Sequence, residues 1–455
     1  MHVKGATWFS ARSAEAAVAV AAFVVLCVAV LVRSTQLLEP DDLAYRASIV
    51  ALTHGHLTLS NAQYQALAQK LGGIAQWVHR ADGRWISEKN PGYPFFALPF
   101  QELGALRLAP LFYGALGCVG LWFGGRKWLG PWGGTWAVAF FCSSGAALVF
   151  GWRATKPTIT DASLIAAGTG TVLWTMLATD AGAARRTLVG LLGFLALEAA
   201  TFIRYTNVIM LVVALAAVVL ARRAAGLPRR AIAWWAGSVA LFATGVAAFD
   251  AAEYGGATKT GYAAGEITFA FRAVVPNLEH MPRHLVTSMP LLVLALGTLA
   301  WTAVRLAHGD ASTRRARHRD AAVVGALAAG WIGIYALYSA YTWTERAAAG
   351  ANSTVHVVRF YVPALAALAL LAAWLVQQFP RWLPVVVVAS AFVLGTTSYS
   401  SLAAGGGPGG PGGPGLGRGG AFGGQGFGGP GGIAPGGSLP GGTAPPSGSA
   451  PAGPP

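Results

Sequence analysis

The sequence predicts an all-α polytopic membrane protein: about eleven transmembrane helices, a large first outer loop with amphipathic surface helices, and a disordered Gly/Pro-rich C-terminal tail. Three observations carry that prediction. Of 455 residues, 55% are hydrophobic and only 11% charged, whereas soluble domains carry roughly a quarter charged residues. Apolar runs of about 17 to 22 residues recur along the chain, the length that crosses a hydrocarbon core of ~30 Å as helix. Short basic clusters separate the runs, as in loops retained on the cytoplasmic side. A soluble globular enzyme is thereby excluded.

Residues 1–33 comprise a short basic start (Lys4, Arg12) and the first apolar run, 16–32. A signal peptide needs a small-residue cleavage site before the next polar stretch; none stands out, so a retained first helix with a cytoplasmic N-terminus is expected. Residues 34–93 are too polar to enter the membrane and too long for a plain connector. The segment 94–400 supplies the other spans, at 94–124, 132–150, 158–179, 187–203, 205–221, 231–250, 287–304, 321–342, 358–376 and 383–399. Cutting 94–124 into two helices would put the basic stretches 222–230 and 305–319 outside, so one crossing plus a bent or interfacial piece is expected. Arg-Arg pairs flank 187–221 at both ends. That stretch must therefore cross and return, turning at Arg204, Tyr205, Thr206 and Asn207 on the outer surface. Outer loops 34–93, 251–286 and 343–357 then hold most carboxylates: Glu39, Asp41, Asp42, Asp82, Glu88, Glu253, Glu266, Glu279 and Glu345. Residues 401–455 form the tail, with 24 Gly and 11 Pro among the 51 residues from Gly405. Such a composition builds no core. A collagen-like register begun at 406–415 fails at Arg418, so an extracytoplasmic disordered tail is expected.

The formal net charge of +15 resides in Arg126-Lys127, Arg185-Arg186, Arg222-Arg223, Arg229-Arg230 and the stretch 305–319. This is the positive-inside pattern, and no nucleic-acid partner is expected. Cys27, Cys118 and Cys142 lie inside apolar runs, and their spacing gives neither a metal motif nor a disulfide framework. His54-Gly55-His56 supplies two ligands where a metal needs a third and fourth. No metal site is expected; should a divalent cation take part, Glu88 is the better candidate.

The first outer loop concentrates the chemistry. Pro40-Asp41-Asp42 is a helix start, with acids placed where the positive end of the helix dipole favours them. Ser60-Asn61-Ala62-Gln63 is a capping box, followed by Tyr64, Leu67, Leu71, Ile74 and Trp77 at helical spacing. That second helix is expected along the membrane surface, with Trp77 in the interfacial layer. Asp41 and Asp42 read either as capping residues or as a carboxylate pair able to deprotonate an incoming nucleophile. Lys89, beside the Pro91-Gly92 turn, either snorkels to headgroups or holds a lipid phosphate as a point cation.

These residues make the resemblance specific. Asp41-Asp42-Leu43-Ala44-Tyr45 just after the first helix, with Glu-Lys-x-Pro-x-Tyr from Glu88 to Tyr93, resembles the GT-C superfamily of membrane glycosyltransferases. Within it the polyprenyl-phosphate-dependent branch is most similar, which includes the lipid A aminoarabinose transferase and the protein O-mannosyltransferases. The resemblance covers residues 14 to about 100; beyond them it rests on general layout, an Arg-Tyr-Thr-Asn turn from Arg204 and an Arg-Phe-Tyr-x-Pro start from Arg359. It implies that Asp41 is the general base, with Asp42 as the alternative acid, and that Lys89 contacts the donor phosphate, with Tyr93 grouped beside it. Asn90 stands where relatives often have a second Pro. A large C-terminal soluble domain is absent, which leaves the acceptor open. The Trp-Trp-Asp motif of oligosaccharyltransferases is missing, since Ala236 follows Trp234-Trp235, so transfer of an oligosaccharide block is not expected.

Arg204 and Arg359 read as headgroup anchors or as ligands of the donor phosphate, with Glu198 a candidate ion-pair partner of Arg204. Asp161 reads as a first-turn acid. The leading expectation is an inverting glycosyltransferase of the plasma membrane that moves a sugar from a polyprenyl monophosphate to a glycan, lipid or protein acceptor of the cell envelope. A membrane transporter or lipid flippase is the rival and predicts ionisable residues near helix middles and two similar halves. A membrane scaffold presenting the tail is the third reading.

Overall fold

Backbone groups within a bilayer must bond to one another, which commits the long apolar runs to helix. The computed structural model describes residues 4–32, 40–151, 154–262, 269–308, 314–344, 358–380 and 382–405. The expectations for the tail beyond 405, for Glu39, Glu266 and Glu345, and for most of loop 343–357 fall outside them.

The bundle is built from α1 (Lys4–Leu31), α4 (Gly92–Glu102), α5 (Ala109–Leu129), α6 (Gly133–Ser143), α7 (Gly145–Gly151), α8 (Thr158–Leu177), α9 (Ala183–Ile203), α10 (Val208–Ala221), α11 (Arg229–Tyr254), α12 (Val274–Ser288), α13 (Leu291–Ala307), α14 (Arg314–Ser339), α15 (Leu365–Val376) and α16 (Leu383–Gly405). The first loop contributes α2 (Pro40–Thr53) and α3 (Asn61–Leu71). Contacts sort the helix ends into two groups. At one end Glu15 of α1 pairs with Arg126 of α5. There, too, Arg186 of α9 donates to the carbonyls of Thr175 and Ala225, Trp128 of α5 to Asp320 of α14, and Arg305 of α13 to Gln378 beyond α15. At the other end Arg107 donates to the Leu31 carbonyl closing α1, Arg80 pairs with Glu253 of α11, and Thr206 meets Tyr338 of α14.

Traced through α1, α5, α6 with α7, α8, α9, α10, α11, α13, α14, α15 and α16, the chain runs between these ends eleven times among the described residues. The 94–124 stretch makes one pass, its first part set apart as α4 before a 3-10 turn at Leu106–Leu108. The 187–221 stretch turns back at Arg204, whose extended backbone (φ −146°, ψ 108°) breaks the helix.

Length and apolarity alone mark fewer spans: five helices qualify, or up to seven when the bent pairs α6–α7 (57°) and α12–α13 (101°) each count as one. The difference has a packing cause. α15 has 12 residues, ~18 Å of helix, and is almost wholly enclosed by other helices, so protein and not lipid sets its length. α8 is long enough, but Asp161 and its threonines make it more polar, and most of its side chains are buried. Its neighbour α5 approaches through small residues. A Cβ on Gly124 would collide with the Gly170 carbonyl, and one on Gly120 with the Ala167 backbone, the close backbone contact typical of membrane helix pairs.

In the first loop α3 has the expected capping box at Ser60 and Gln63. Three short strands, β1 (Thr58–Leu59), β2 (Trp77–His79) and β3 (Trp85–Ser87), form an antiparallel sheet in the order β1-β3-β2. The apolar side of α3 has a different partner from the one expected. Tyr64, Leu67, Leu71 and Ile74 pack against Ala47, Ala51, Leu59 and Trp77 as a small separate core, and Trp77 is buried in β2 rather than exposed to an interfacial layer. A strand and a turn after α3 cannot continue its helical face, which is why Ile74 and Trp77 only seemed to extend it.

Candidate active site

The site forms at the end of the bundle opposite the basic pairs, where the first loop meets the ends of α8, α9 and α15. Asp41 lies in the first turn of α2. Its two carboxylate oxygens face different cations: Oδ1 is 3.1 Å from Lys89 Nζ and Oδ2 2.7 Å from an Arg359 Nη. Lys89 also donates to the Tyr262 hydroxyl at 3.0 Å, with its ammonium 4.8 Å from that ring's centre. Arg359 lies over the rings of Trp343 and Phe360.

Local structure fixes this meeting. Gly92 opens α4 against the end of α9; a Cβ there would collide with the Phe202 carbonyl. Asn90 donates to the Ile203 carbonyl at 3.5 Å. Both contacts set Lys89 beside the α9 turn. Arg204 then pairs through Nε with Asp161 at 3.1 Å and donates through Nη to the Arg359 carbonyl at 3.1 Å. Asn207 adds a contact to Asp161 at 3.4 Å. Asp161 is thus more than a first-turn acid, and the expected partner of Arg204 is corrected: Glu198 accepts instead from Ser238. A residue six positions before Arg204 lies nearly two turns down α9, out of reach of the turn.

Asp42 faces away from Asp41's partners. Thr155 donates to it at 2.9 Å and Lys156 Nζ is 4.0 Å away, all within the protein. Burial, then the nearby Arg359 and Arg204, push the Lys156 ammonium well below the ordinary lysine range. Tyr93 forms the floor. It is fully buried, packs edge-on against Tyr45 at 5.6 Å, and donates its hydroxyl to the Ala154 carbonyl.

Two groups escaped the sequence reading. Tyr262 lies in a loop with no local signal, held where Gly261 packs against the backbone of Ser87 and Glu88. Gln76 bonds to Asp41 through its side chain and accepts from the Glu88 N–H at 2.9 Å. Its φ of +57° is a left-handed conformation that costs a non-glycine residue free energy and clusters at functional sites.

The electrostatics follow from the geometry. Burial alone would raise the Asp41 pKa, but Arg359 and then Lys89 outweigh it, and hydrogen bonds from Lys89 and Gln76 add to them. Its carboxyl is held far below the ordinary carboxylate range. Asp41 is therefore ionised, and poorly basic while both cations hold it. Two cations converging from separate elements suit a second, larger anion equally well. Among the described residues no group of three or more His, Cys, Asp or Glu side chains is arranged to hold a metal ion. His54 and His56 bond instead to the end of α2 and to Gln63.

No known protein family and no curated protein matches the sequence. Among solved structures, the oligosaccharyltransferase of Archaeoglobus fulgidus in its apo form is similar, with a TM-score of 0.52 at 12% identity over 85% of this chain. The chain spans 56% of that protein's length. At this identity the likeness shows a shared fold, and it agrees with the all-α polytopic fold expected from the sequence.

Proposed function

We propose that the protein is an inverting membrane glycosyltransferase that moves one sugar from a polyprenyl-monophosphate donor to a cell-envelope acceptor on the outer face of the plasma membrane. The observation that carries this reading is Asp41 set between Lys89 and Arg359 at the end of the bundle opposite the basic pairs. A carboxylate beside two cations is what the transfer needs. The acceptor oxygen attacks the anomeric carbon while Asp41 takes its proton, and the bond from that carbon to the phosphate oxygen breaks. The phosphate departs as an anion, its charge met by Lys89 and Arg359. Arg204 supports the site through the Arg359 carbonyl, and Asp161 holds Arg204 in turn. A membrane-embedded carrier suits a site at the bundle end, because its phosphate lies at headgroup level while the acceptor arrives from water. Should a divalent cation take part, Glu88 remains its candidate ligand.

The fold likeness to an oligosaccharyltransferase supports the general class, and the missing Trp-Trp-Asp motif favours a single sugar over an oligosaccharide block. A transfer assay in membranes, with a panel of radiolabelled polyprenyl-phosphate sugars and envelope extracts as acceptor, tests the reading. Label passing to the acceptor with the wild-type chain, and not with Lys89→Ala, is the expected result. Label moved across the bilayer without transfer would favour the flippase.

A further inference from the structure

Asp41 places its carboxylate between two cations, a position that suits any anion. Its oxygens lie 3.1 Å from Lys89 Nζ and 2.7 Å from an Arg359 Nη, which are ordinary charge-assisted distances. The two cations come from segments 270 residues apart, the loop before α4 and the turn before α15, and Asp41 joins them. Its neighbour Asp42 has other partners, accepting from Thr155 at 2.9 Å with Lys156 Nζ 4.0 Å away.

We infer that Asp41 is an internal competitor for the donor phosphate: binding of the donor exchanges one anion for another at Lys89 and Arg359, and that exchange releases Asp41 to act as the base. This inference rests on the reading of the protein as a polyprenyl-phosphate-dependent transferase and adds to it an order of events. Held by Lys89 and Arg359, Asp41 is clamped by two cations and its basicity is suppressed. When a phosphate takes over those cations, the carboxylate keeps only the neutral Gln76 contact, its proton affinity rises toward the ordinary range, and it is able to accept the acceptor's proton. Donor must then bind before the acceptor is activated, and the base is masked in the empty enzyme.

The inference separates Asp41 from an ordinary base by the sign of one binding effect. A residue that only takes a proton can be neutralised with little change in donor affinity, and one that only supports the fold weakens binding when replaced. A competitor does the opposite, since affinity is reduced by the fraction of protein in which the site is already filled. In nanodiscs, a short-chain polyprenyl monophosphate without sugar should bind Asp41→Asn at least about tenfold more tightly than wild type. Asp42→Asn controls for the mere loss of a nearby negative charge and should show no comparable gain. Asp41→Ala guards against a local rearrangement peculiar to Asn: it too should bind more tightly, and free acetate, entering the vacated place, should return its affinity toward the wild-type value while leaving wild type unaffected.

Unchanged or weaker binding in both Asp41 variants would overturn the inference, as would an equal gain in Asp42→Asn. If the wild-type chain and every variant fail to bind the polyprenyl phosphate at all, the functional reading itself falls. That result is distinct from unaltered affinity in the variants.

Discussion

Asp41 and Lys89 lie 48 residues apart and meet at 3.1 Å, so each is open to a test that the other controls. Neutralising the base without changing its shape, as in Asp41→Asn, should lower turnover at saturating donor by about 10²–10⁴-fold, the range for a lost general base. Asp42→Asn should lower it far less; the reverse ranking in single-turnover transfer would move the role one residue along. Lys89→Ala should raise the donor KM and lower kcat together, because in the proposed transfer one cation serves both the bound phosphate and the departing one. Lys89→Arg should recover part of the loss, a planar fork replacing a compact ammonium. Donor titrations of the two variants check this, and unchanged constants in Lys89→Ala would leave the lysine as a headgroup anchor. Both residues were legible in the sequence because their motifs are local. Tyr262 and Gln76 were not: Tyr262 is brought in by a glycine packed on the Ser87 carbonyl, and Gln76 by a left-handed backbone that no residue type there signals and by its bond from the Glu88 N–H.

Helix packing explains which elements could be recognised from sequence. The long apolar runs are the most readable: α9 and α11 have nearly the expected limits, whereas α1 and α14 begin 12 and 7 residues earlier than expected. The first-loop sheet has strands of two or three residues, too short for alternation to register. Its buried Trp77 therefore looked like the continuation of a helix. The seam between α5 and α8 makes the packing argument quantitative. Gly124→Leu must force a side chain into the Gly170 carbonyl, so a cost of about 1–3 kcal/mol or more is expected, read as a lower melting temperature in detergent. Gly237 of α11 has open space where a Cβ would go. Gly237→Ala should be neutral or stabilising by about 0.5–1 kcal/mol, as the helix loses a flexible residue. A seam that tolerates leucine as well as Gly237 tolerates alanine would show that the close approach is not needed.

Across the whole molecule, the basic pairs and the candidate site occupy opposite ends of the bundle, so one topology experiment bears on both. The positive-inside rule then directs the site outward. In intact cells an impermeant thiol reagent should label Thr258→Cys and leave Ala224→Cys unmodified, both positions being exposed on the protein. Label at position 224 would reverse the sidedness and with it the use of a lipid-linked donor outside the cell. The enclosed helix α15 has a further consequence, for biosynthesis. Arg359 is joined to a segment of 12 apolar residues, shorter than the ~20 that partition into a bilayer unaided. A nascent chain ending before Arg359 contains Asp41 and Lys89 but not the second cation that faces Asp41. During translation the site is therefore completed late, when α15 enters a cavity already walled by α5, α6, α8, α13 and α14. Ribosome-released fragments that stop before Arg359 should accumulate as inserted but inactive protein, so the last fifth of the chain, 97 of 455 residues, separates an assembled site from an incomplete bundle.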